Sequence, residues 1–244
     1  MSHLVIDIGN SRTKVAIFDD HKLIRKDVLD HLSEEVLAEY LKEYAVQQSI
    51  ISSVKDEIKG LENLLANQTN YIRFSSKLNT GVINEYKSPE TLGLDRLAGV
   101  IGARALFPGK NVLAIDLGTC ITYDAISKKG IYRGGSISPG LNMRLQAMHE
   151  LTGRLPLIRL ADYESLEGYD TGTSMLSGAV NGTFAEIMGF IEQYNVQYSQ
   201  LQVVLCGGDA IFFDTRLKNS IFAHTLKTEP DLVLIGLNEV INLQ

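Results

Sequence analysis

The chain has 244 residues, 45% of them hydrophobic, so it can bury a sizeable core in one large domain or two small ones. Lys and Arg total 23 against 29 Asp and Glu, and no basic block interrupts the formal net charge of -6. Binding of nucleic acid without sequence preference needs concentrated positive charge, so nucleic acid is not expected as a partner. No apolar run reaches the roughly 20 residues of a membrane helix and no export signal is recognised, so we expect a cytoplasmic protein without membrane contact.

The first predicted element is a β-hairpin. Residues 3–8 form an apolar run, residues 9–11 carry a Gly-bearing turn, and residues 13–18 resume with β-branched side chains. A helix is predicted to follow over residues 34–44, capped by Ser33. Residues 94–106 are rich in small side chains, which predicts another helix that can approach its neighbour closely.

A second passage of strand, turn and strand begins at Asn111. Its turn repeats the motif Ile-Asp-x-Gly-[Asn/Thr], and Asp116 lies 109 residues after the corresponding Asp7, close to half of the chain length. A repeat at this distance favours a duplicated unit. We therefore predict two α/β domains, residues 1–110 and 111–244, with a ligand cleft between them.

Three features are predicted after the second turn. Residues 134–140 contain too much Gly for a good strand interior, which predicts a loop shaped for the approach of a ligand or partner. Residues 175–194 predict a long helix, and residues 202–206 a short buried strand that ends in a turn at Gly207, Gly208 and Asp209. Both cysteines, Cys120 and Cys206, are interpreted as small core residues, and the five histidines show no metal-ligand spacing.

The repeated turn is a candidate device for binding phosphate. Glycine lets the backbone approach a phosphate, neighbouring N–H groups form an anion-binding concavity, and Asn10, Ser11 and Thr119 add side-chain donors. Asp7 and Asp116 would then face cations at the phosphates. One such turn is more often an ordinary hairpin, but two at matching positions favour nucleotide binding. The sequence has no P-loop and no dinucleotide motif that would compete with this interpretation.

A candidate base opens the predicted helix of residues 94–106. Asp95 could accept a proton from a substrate hydroxyl, and its neighbour Arg96 could hold an anionic group. The alternative is that Asp95 only complements the helix dipole. Arg12 and Lys14 could neutralise phosphate charge, on whichever face of their strand meets the ligand.

These motifs together resemble the type III pantothenate kinases of the sugar kinase, heat-shock protein and actin superfamily. The resemblance runs through most of the chain and rests on five ordered segments: residues 7–14, 93–96, 116–119 and 134–140, and Asp170-Thr171 followed by Ser177-Gly178. It implies an α/β fold with duplicated actin-like, ribonuclease H-like domains. It also implies ATP-dependent phosphorylation of pantothenate to 4′-phosphopantothenate, the first step of coenzyme A biosynthesis.

The resemblance further implies roles for individual residues. Asp95 would be the general base, and Asp116 would hold a monovalent cation, potassium or ammonium, which the family needs alongside magnesium and ATP. The implied ATP site comprises Asp7, Ile8, Gly9, Asn10, Ser11, Arg12, Thr13, Lys14 and Thr119. The implied pantothenate site comprises Tyr86, Gly93, Leu94, Asp95, Arg96 and Thr171.

The resemblance also implies a homodimer, with Thr171 reaching the substrate from the edge of the dimer interface in some relatives. Two positions depart from the family's pattern. Leu94 stands where Pro, Ala or Val is commoner, and Asp170 stands where Asn is usual. Neither departure removes a catalytic group.

Three other functions stay open from the sequence. A sugar or acyl-acid kinase on the same scaffold would place its catalytic acid in another sequence context than residues 93–96. A non-catalytic regulatory protein of the same superfamily would keep nucleotide binding or only the scaffold. A DNA-binding version of it would need an added helix-turn-helix, and none is expected ahead of Asp7. A phosphate-ester or polyphosphate hydrolase would use a carboxylate to activate water and would turn over without pantothenate.

Overall fold

The computed structural model describes residues 1–9, 12–53 and 58–244. The chain divides into two units. The first unit consists of Met1–Pro108, Gly130–Arg133 and Asp231–Gln244, and the second of Gly109–Lys129 and Gly134–Pro230. The domain boundary between residues 110 and 111 stays a prediction about the duplication. The units do not coincide with two continuous halves of the chain, because Gly130–Arg133 and Asp231–Gln244 belong to the first unit.

The secondary structure alternates strands and helices along the described residues. In chain order the elements are β1 (Ser2–Ile8), β2 (Thr13–Asp19), β3 (Lys22–Leu29), α1 (Glu34–Glu43), β4 (Gln48–Ser53), α2 (Lys59–Gln68), β5 (Asn70–Arg73), β6 (Ile83–Asn84), α3 (Leu94–Leu106), β7 (Val112–Leu117), β8 (Cys120–Ile126), β9 (Ile131–Pro139), α4 (Leu141–Glu150), α5 (Thr171–Gln197), β10 (Gln202–Cys206), α6 (Ala210–Lys218), a 3₁₀ helix (Ala223–Thr225), β11 (Leu226–Thr228) and α7 (Leu232–Asn242).

The first unit is built on a sheet of five strands in the order β3-β2-β1-β4-β5. Strand β1 runs antiparallel to β2 and parallel to β4, and β4 runs parallel to β5. The predicted first hairpin is therefore confirmed. Leu4 and Ile6 of β1 are buried with Leu37 and Leu41 of α1 and with Leu65 of α2, so the core of this unit lies between the sheet and two helices.

Helix α1 begins where the sequence predicted. The Ser33 side chain accepts a hydrogen bond from Val36 N at 3.3 Å, and Glu34 and Glu35 lie in the first turn, where the helix dipole favours acidic residues. Helix α7, from the end of the chain, packs on α3, β1 and β4. This packing places the last residues of the chain in the first unit.

The second unit repeats the strand order of the first. Its strands follow the order β9-β8-β7-β10-β11, with β7 antiparallel to β8 and parallel to β10, and with β10 parallel to β11. The first residues of β9, which belong to the first unit, pair with β6. Two sheets with one strand order confirm the predicted duplicated α/β fold. Helix α5 is longer than predicted, and β10 lies where the sequence placed it.

The prediction of a loop over residues 134–140 is wrong. Residues up to Pro139 belong to β9, and only Gly140 lies beyond the strand. A Cβ on Gly135 would lie 1.8 Å from the carbonyl oxygen of Tyr123, and Gly134 has a φ of +110°. Glycine here marks close approach of two strands and a backbone conformation that other residues disfavour, rather than a loop.

Two further observations concern the described residues. Cys206 is buried as predicted for a core residue, whereas Cys120 is half-buried. None of the described helices combines the length and the apolar character that crossing a membrane requires.

Candidate functional site

The first candidate turn connects β1 and β2. Asp7 is half-buried near the end of β1 and lies opposite Lys14 of β2 and Ser52 of β4. Paired residues of neighbouring strands point to the same face of a sheet, so the Asp7 and Lys14 side chains lie side by side. Gly9 N donates a hydrogen bond to the carbonyl oxygen of Arg12 at 3.0 Å, which closes the turn.

The other predicted residues of this turn differ in exposure. Ile8 and Thr13 are buried at 5% and 4% exposure, and their side chains contribute to the interior of the unit. Arg12 is exposed just before β2, whereas Lys14 is half-buried. Asn10 and Ser11, both predicted ATP-site residues, lie outside the described residues.

The second candidate turn connects β7 and β8. Asp116 is half-buried near the end of β7 and lies opposite Thr122 of β8 and Cys206 of β10. Gly118 N donates a hydrogen bond to the carbonyl oxygen of Cys120 at 3.2 Å. Thr119 is exposed. The two turns therefore share an aspartate near the strand end and a glycine N–H that closes the turn, but the closing hydrogen bond spans three residues in the first turn and two in the second.

Two glycines from distant parts of the chain pack closely against the second turn. A Cβ on Gly207 would lie 2.4 Å from Asp116 Oδ1, and a Cβ on Gly140 would lie 2.4 Å from the carbonyl oxygen of Gly118. Gly140 N also donates a hydrogen bond to the carbonyl oxygen of Thr119 at 3.1 Å. Because neither residue carries a side chain, backbone packs closely against the turn and against the Asp116 carboxylate.

The turn after β10 closes over the end of β7. Gly207 has a φ of +88°, a backbone conformation that favours glycine, and Asp209 N donates a hydrogen bond to the carbonyl oxygen of Leu117 at 2.8 Å. Asp209 precedes α6, and its side chain makes no capping hydrogen bond. Burial without such a bond raises the pKa of Asp209 above its ordinary value.

The candidate base stands in the first turn of α3. Asp95 is exposed, and its Oδ1 accepts a hydrogen bond from Arg96 N at 2.8 Å. A Cβ on Gly93 would lie 2.6 Å from the same oxygen, so the glycine leaves room for the carboxylate to fold back over the helix end. Leu94, between them, is half-buried. The position suits an anionic carboxylate because the helix dipole is positive there.

Arg96 is held on an aromatic surface. Its side chain is only 8% exposed, and its guanidinium carbon lies 5.8 Å from the centroid of the Tyr86 ring. The Tyr86 ring in turn stacks on Tyr132, with 6.3 Å between centroids and 9° between planes. A guanidinium on an aromatic face keeps its positive charge, which suits the neighbourhood of an anionic group.

A surface cavity of about 470 Å³ adjoins Tyr86. Its lining is formed by Glu85, Tyr86, Lys87, Ser88 and Arg133. Arg133 Nε donates a hydrogen bond to Glu85 at 2.8 Å, so one of the cationic side chains of the lining is already paired.

Thr171 is exposed at the first position of α5. Asp170 caps this helix: its side chain accepts a hydrogen bond from Thr173 N at 2.7 Å, and Thr173 Oγ1 accepts one from Asp170 N at 3.0 Å. The hydrogen bond from the Thr173 backbone and that from its side chain lower the pKa of Asp170. Asp and Asn cap helices equally well, so Asp170 serves the start of this helix as an Asn would.

The structure thus groups the predicted residues into separate sets. Gly93, Asp95, Arg96 and Tyr86 lie together in the first unit, and the Asp7 turn belongs to the same unit. Asp116 and Thr119 share one turn of the second unit, and Thr171 begins a helix of that unit.

Sequence reasoning missed the contacts of Gly140 and Gly207 with the second turn. It also missed a polar cluster behind that turn, in which Arg144 and Glu186 form an ion pair. The glycines carried a signal, since both stand in unusual Gly-rich segments. No local pattern singles out Arg144 or Glu186.

Solved structures define the class of the protein. A Campylobacter jejuni protein described as a Baf family transcriptional activator aligns over 98% of both chains with a TM-score of 0.59 and 21% identity. A Listeria monocytogenes protein described as an N-acetylmannosamine kinase aligns over 100% of this chain and 99% of its own, with a TM-score of 0.57 and 14% identity. These likenesses show the fold: the protein has a duplicated actin-like α/β fold.

Sequence comparison narrows this class to one family. The family model for type III pantothenate kinase matches residues 3–193. A type III pantothenate kinase of Bacteroides fragilis is 41% identical over 245 residues, covering 98% of this chain and 97% of the relative. One of Christiangramia forsetii is 39% identical over 243 residues, with coverage of 98% and 97%. The chain belongs to the type III pantothenate kinase family, as its motifs predicted.

Proposed function

We propose that this protein transfers the γ-phosphoryl group of ATP to the primary hydroxyl of pantothenate, which yields 4′-phosphopantothenate for coenzyme A biosynthesis. The observation that carries this proposal is the family match along nearly the whole chain. No comparison favours a regulatory protein or another small-molecule kinase.

The acceptor side of the reaction rests on Asp95 and Arg96. In the proposed mechanism Asp95 takes the proton of the pantothenate hydroxyl while that oxygen bonds to the γ-phosphorus and the bond from phosphorus to ADP breaks. Arg96, held on the Tyr86 ring, binds the pantothenate carboxylate. The exposure of Asp95 and the neighbouring buried guanidinium support these roles.

The nucleotide side rests on the two turns. The Asp7 turn offers the Lys14 ammonium to the phosphates of magnesium-bound ATP, and Gly9, whose N–H already closes the turn, lets a phosphate approach the backbone closely. The second turn offers Thr119. The exposure of Thr119 and the half-buried position of Lys14 support these roles, because neither side chain is enclosed in the interior of its unit.

Asp116 is the proposed ligand of a monovalent cation, potassium or ammonium. The glycines beside this carboxylate are compatible with such an ion, since a Cβ on Gly118 or Gly207 would crowd Asp116 Oδ1 at 3.0 or 2.4 Å. A cation held there would supply positive charge near the transferred phosphoryl group. Oxygen ligands such as this carboxylate suit a hard cation.

The assembly and location of the protein are also part of the proposal. We expect a homodimer, with Thr171 contacting pantothenate from its place at the start of α5. We expect the protein in the cytoplasm, where ATP is supplied.

The decisive experiment measures 4′-phosphopantothenate formed from pantothenate and magnesium ATP, in potassium and in sodium buffer, with a control lacking pantothenate. Product that increases with potassium supports the proposal. ATP consumption without pantothenate would instead indicate a hydrolase. Nucleotide binding without product would indicate a different acceptor or a regulatory role.

A further inference from the structure

Residues 138–140 pack against the second turn, and the ion pair of Arg144 and Glu186 contacts this segment. Arg144 in α4 donates from Nε to the carbonyl oxygen of Pro139 at 2.8 Å and from Nη2 to Ser138 Oγ at 2.7 Å. Its own amide donates to the carbonyl oxygen of Gly140 at 2.9 Å. The arginine side chain therefore attaches residues 138 and 139 to α4, next to the backbone hydrogen bond that begins the helix at Gly140.

Glu186 of α5 holds this arginine from the other side. Its carboxylate pairs with Arg144 Nη2, and its Oε1 accepts a hydrogen bond from the Tyr123 hydroxyl at 2.9 Å. Tyr123 lies in β8, and its ring stacks on Phe190 of α5 with 4.0 Å between centroids. Side chains of β8, α4 and α5 thus converge on residues 138–140.

Contacts within this cluster shift the pKa values of Glu186 and Tyr123. Burial alone would raise the pKa of Glu186, but hydrogen bonds from Arg144, Ser138 and Tyr123 outweigh burial and lower it. Burial and the neighbouring Glu186 raise the pKa of Tyr123, so its hydroxyl keeps its proton and remains a donor. The Arg144 and Glu186 side chains are each 22% exposed, so water weakens their attraction only in part.

Residues 138–140 contact the second turn, that of Gly118 and Thr119, directly. Gly140 donates to the carbonyl oxygen of Thr119 at 3.1 Å, and a Cβ on Gly140 would lie 2.5 Å from that oxygen. At this separation a small shift of residues 138–140 must move the turn of Gly118 and Thr119. We propose that Arg144 and Glu186 are positioning residues that hold the second nucleotide turn through residues 138–140. This role rests on the proposed nucleotide site at that turn.

The test compares four variants with the wild type. Glu186→Gln keeps the shape and an acceptor for Tyr123 but removes the charge that pairs with Arg144. Arg144→Ala removes the guanidinium contacts, and Arg144→Lys restores the charge without the paired donors. Glu192→Gln makes the same chemical change at an exposed position of the same helix and serves as the matched control.

Three quantities are measured for each variant: affinity for a fluorescent ATP analogue, KM for ATP and for pantothenate, and melting temperature. We expect Glu186→Gln to weaken nucleotide binding and raise KM for ATP by about tenfold, the usual lower scale for a lost supporting contact, with KM for pantothenate changed less than twofold. Arg144→Ala should lose at least as much nucleotide affinity as Glu186→Gln. The affinity of Arg144→Lys should lie between those of Arg144→Ala and the wild type, and the affinity of Glu192→Gln should equal that of the wild type.

Two results would overturn the proposal. One is unchanged nucleotide affinity in folded Glu186→Gln and Arg144→Lys, which also decides the matter if Arg144→Ala fails to fold. The other is a parallel loss in both substrates that follows the melting temperature, as for a purely structural ion pair. Wild-type protein that binds the analogue but makes no phosphopantothenate would contradict the proposed function alone, since nucleotide affinity still tests the positioning role.

Discussion

Gly236 of α7 lies directly against the carbonyl oxygen of Ala98 in α3, and a Cβ on Gly236 would be only 1.9 Å from that oxygen. The contact is reciprocal, because a Cβ on Gly102 of α3 would be 2.3 Å from the carbonyl oxygen of Leu232. The two helices therefore meet backbone to backbone. This contact attaches the end of the chain to the helix that carries Asp95 and Arg96.

We predict that Gly236→Ala destabilises the protein by about 1–3 kcal/mol, the usual cost of overpacking a well-packed contact. The better helix propensity of Ala, worth up to about 1 kcal/mol, offsets only part of this. Thermal or urea unfolding measures the change. Gly99→Ala in α3 is the control: nothing lies within 4 Å of its Cβ position, so it should be neutral or stabilising. Equal stability of both variants would contradict the close contact.

Asp209→Asn should stabilise the protein near neutral pH. The pKa of Asp209 is raised by burial, so the folded state binds more protons than the unfolded state between the ordinary and the raised pKa, and stability falls as pH rises through that window. Above it the buried carboxylate costs about 1 kcal/mol, or roughly 2–4 °C in melting temperature for a chain of this size. Melting curves from acid to neutral pH should show the variant's advantage appear as pH rises.

Asp214 in α6 provides a control, because its pKa is shifted in the opposite direction to that of Asp209. Hydrogen bonds from Lys218 and then from Thr228 lower the pKa of Asp214, so its stabilising contribution is present above the ordinary carboxyl pKa and is lost as pH falls through the lowered value. Asp214→Asn should therefore lower the melting temperature near neutral pH, with a loss of about 1 kcal/mol for the hydrogen bonds. Melting temperatures that change in the same direction in Asp209→Asn and Asp214→Asn would contradict the burial assigned to Asp209 and the hydrogen bonds assigned to Asp214.

Asp95→Asn should lower kcat by on the order of a hundredfold or more, the scale of removing a general base. KM for ATP and the melting temperature should stay close to those of the wild type, because the Asn side chain can still accept the hydrogen bond from Arg96 N. Asp30→Asn, an exposed change in the same unit, is the matched control. A fully active Asp95→Asn variant would leave Asp95 with a helix-end role only.

Arg96→Lys should raise KM for pantothenate by about tenfold, because a lysine keeps the charge but loses the planar fork that binds a carboxylate and stacks on Tyr86. KM for ATP should change little. Arg104→Lys, near the other end of α3, controls for the loss of a guanidinium from the same helix. A common rise in both KM values would point to a disturbed helix rather than a lost substrate contact.

Asp116→Asn should abolish the stimulation by potassium, since an amide binds a cation far more weakly than a carboxylate does. Activity in potassium should fall to about the level that the wild type shows in sodium. Initial rates across a potassium titration measure this, and Asp162→Asn, an exposed change in the same unit, is the control. Stimulation that survives in Asp116→Asn would move the cation to other ligands.

Local patterns predicted the features that depend on neighbouring residues in the chain. Apolar and β-branched runs on either side of a Gly-bearing turn predicted both hairpins, and Ser33 with its acidic first turn predicted the start of α1. The repeat of one motif after 109 residues predicted the duplication that both sheets display. The ordered motifs also identified the family, because several short motifs in sequence are far more specific than one.

Features that depend on distant residues were decided only by the tertiary structure. Glycines at residues 134–140 predicted a loop, yet the approach of β8 makes glycine necessary inside a strand. Arg144 and Glu186 are 42 residues apart, and nothing near either of them in the sequence reveals the partner. Turns and periodicity follow from neighbouring side chains and backbone dihedral angles, so the sequence by itself determined the two hairpin turns and the duplicated α/β plan. Which side chains and backbone segments support those turns depends on how separate elements pack, and that only the folded chain decided.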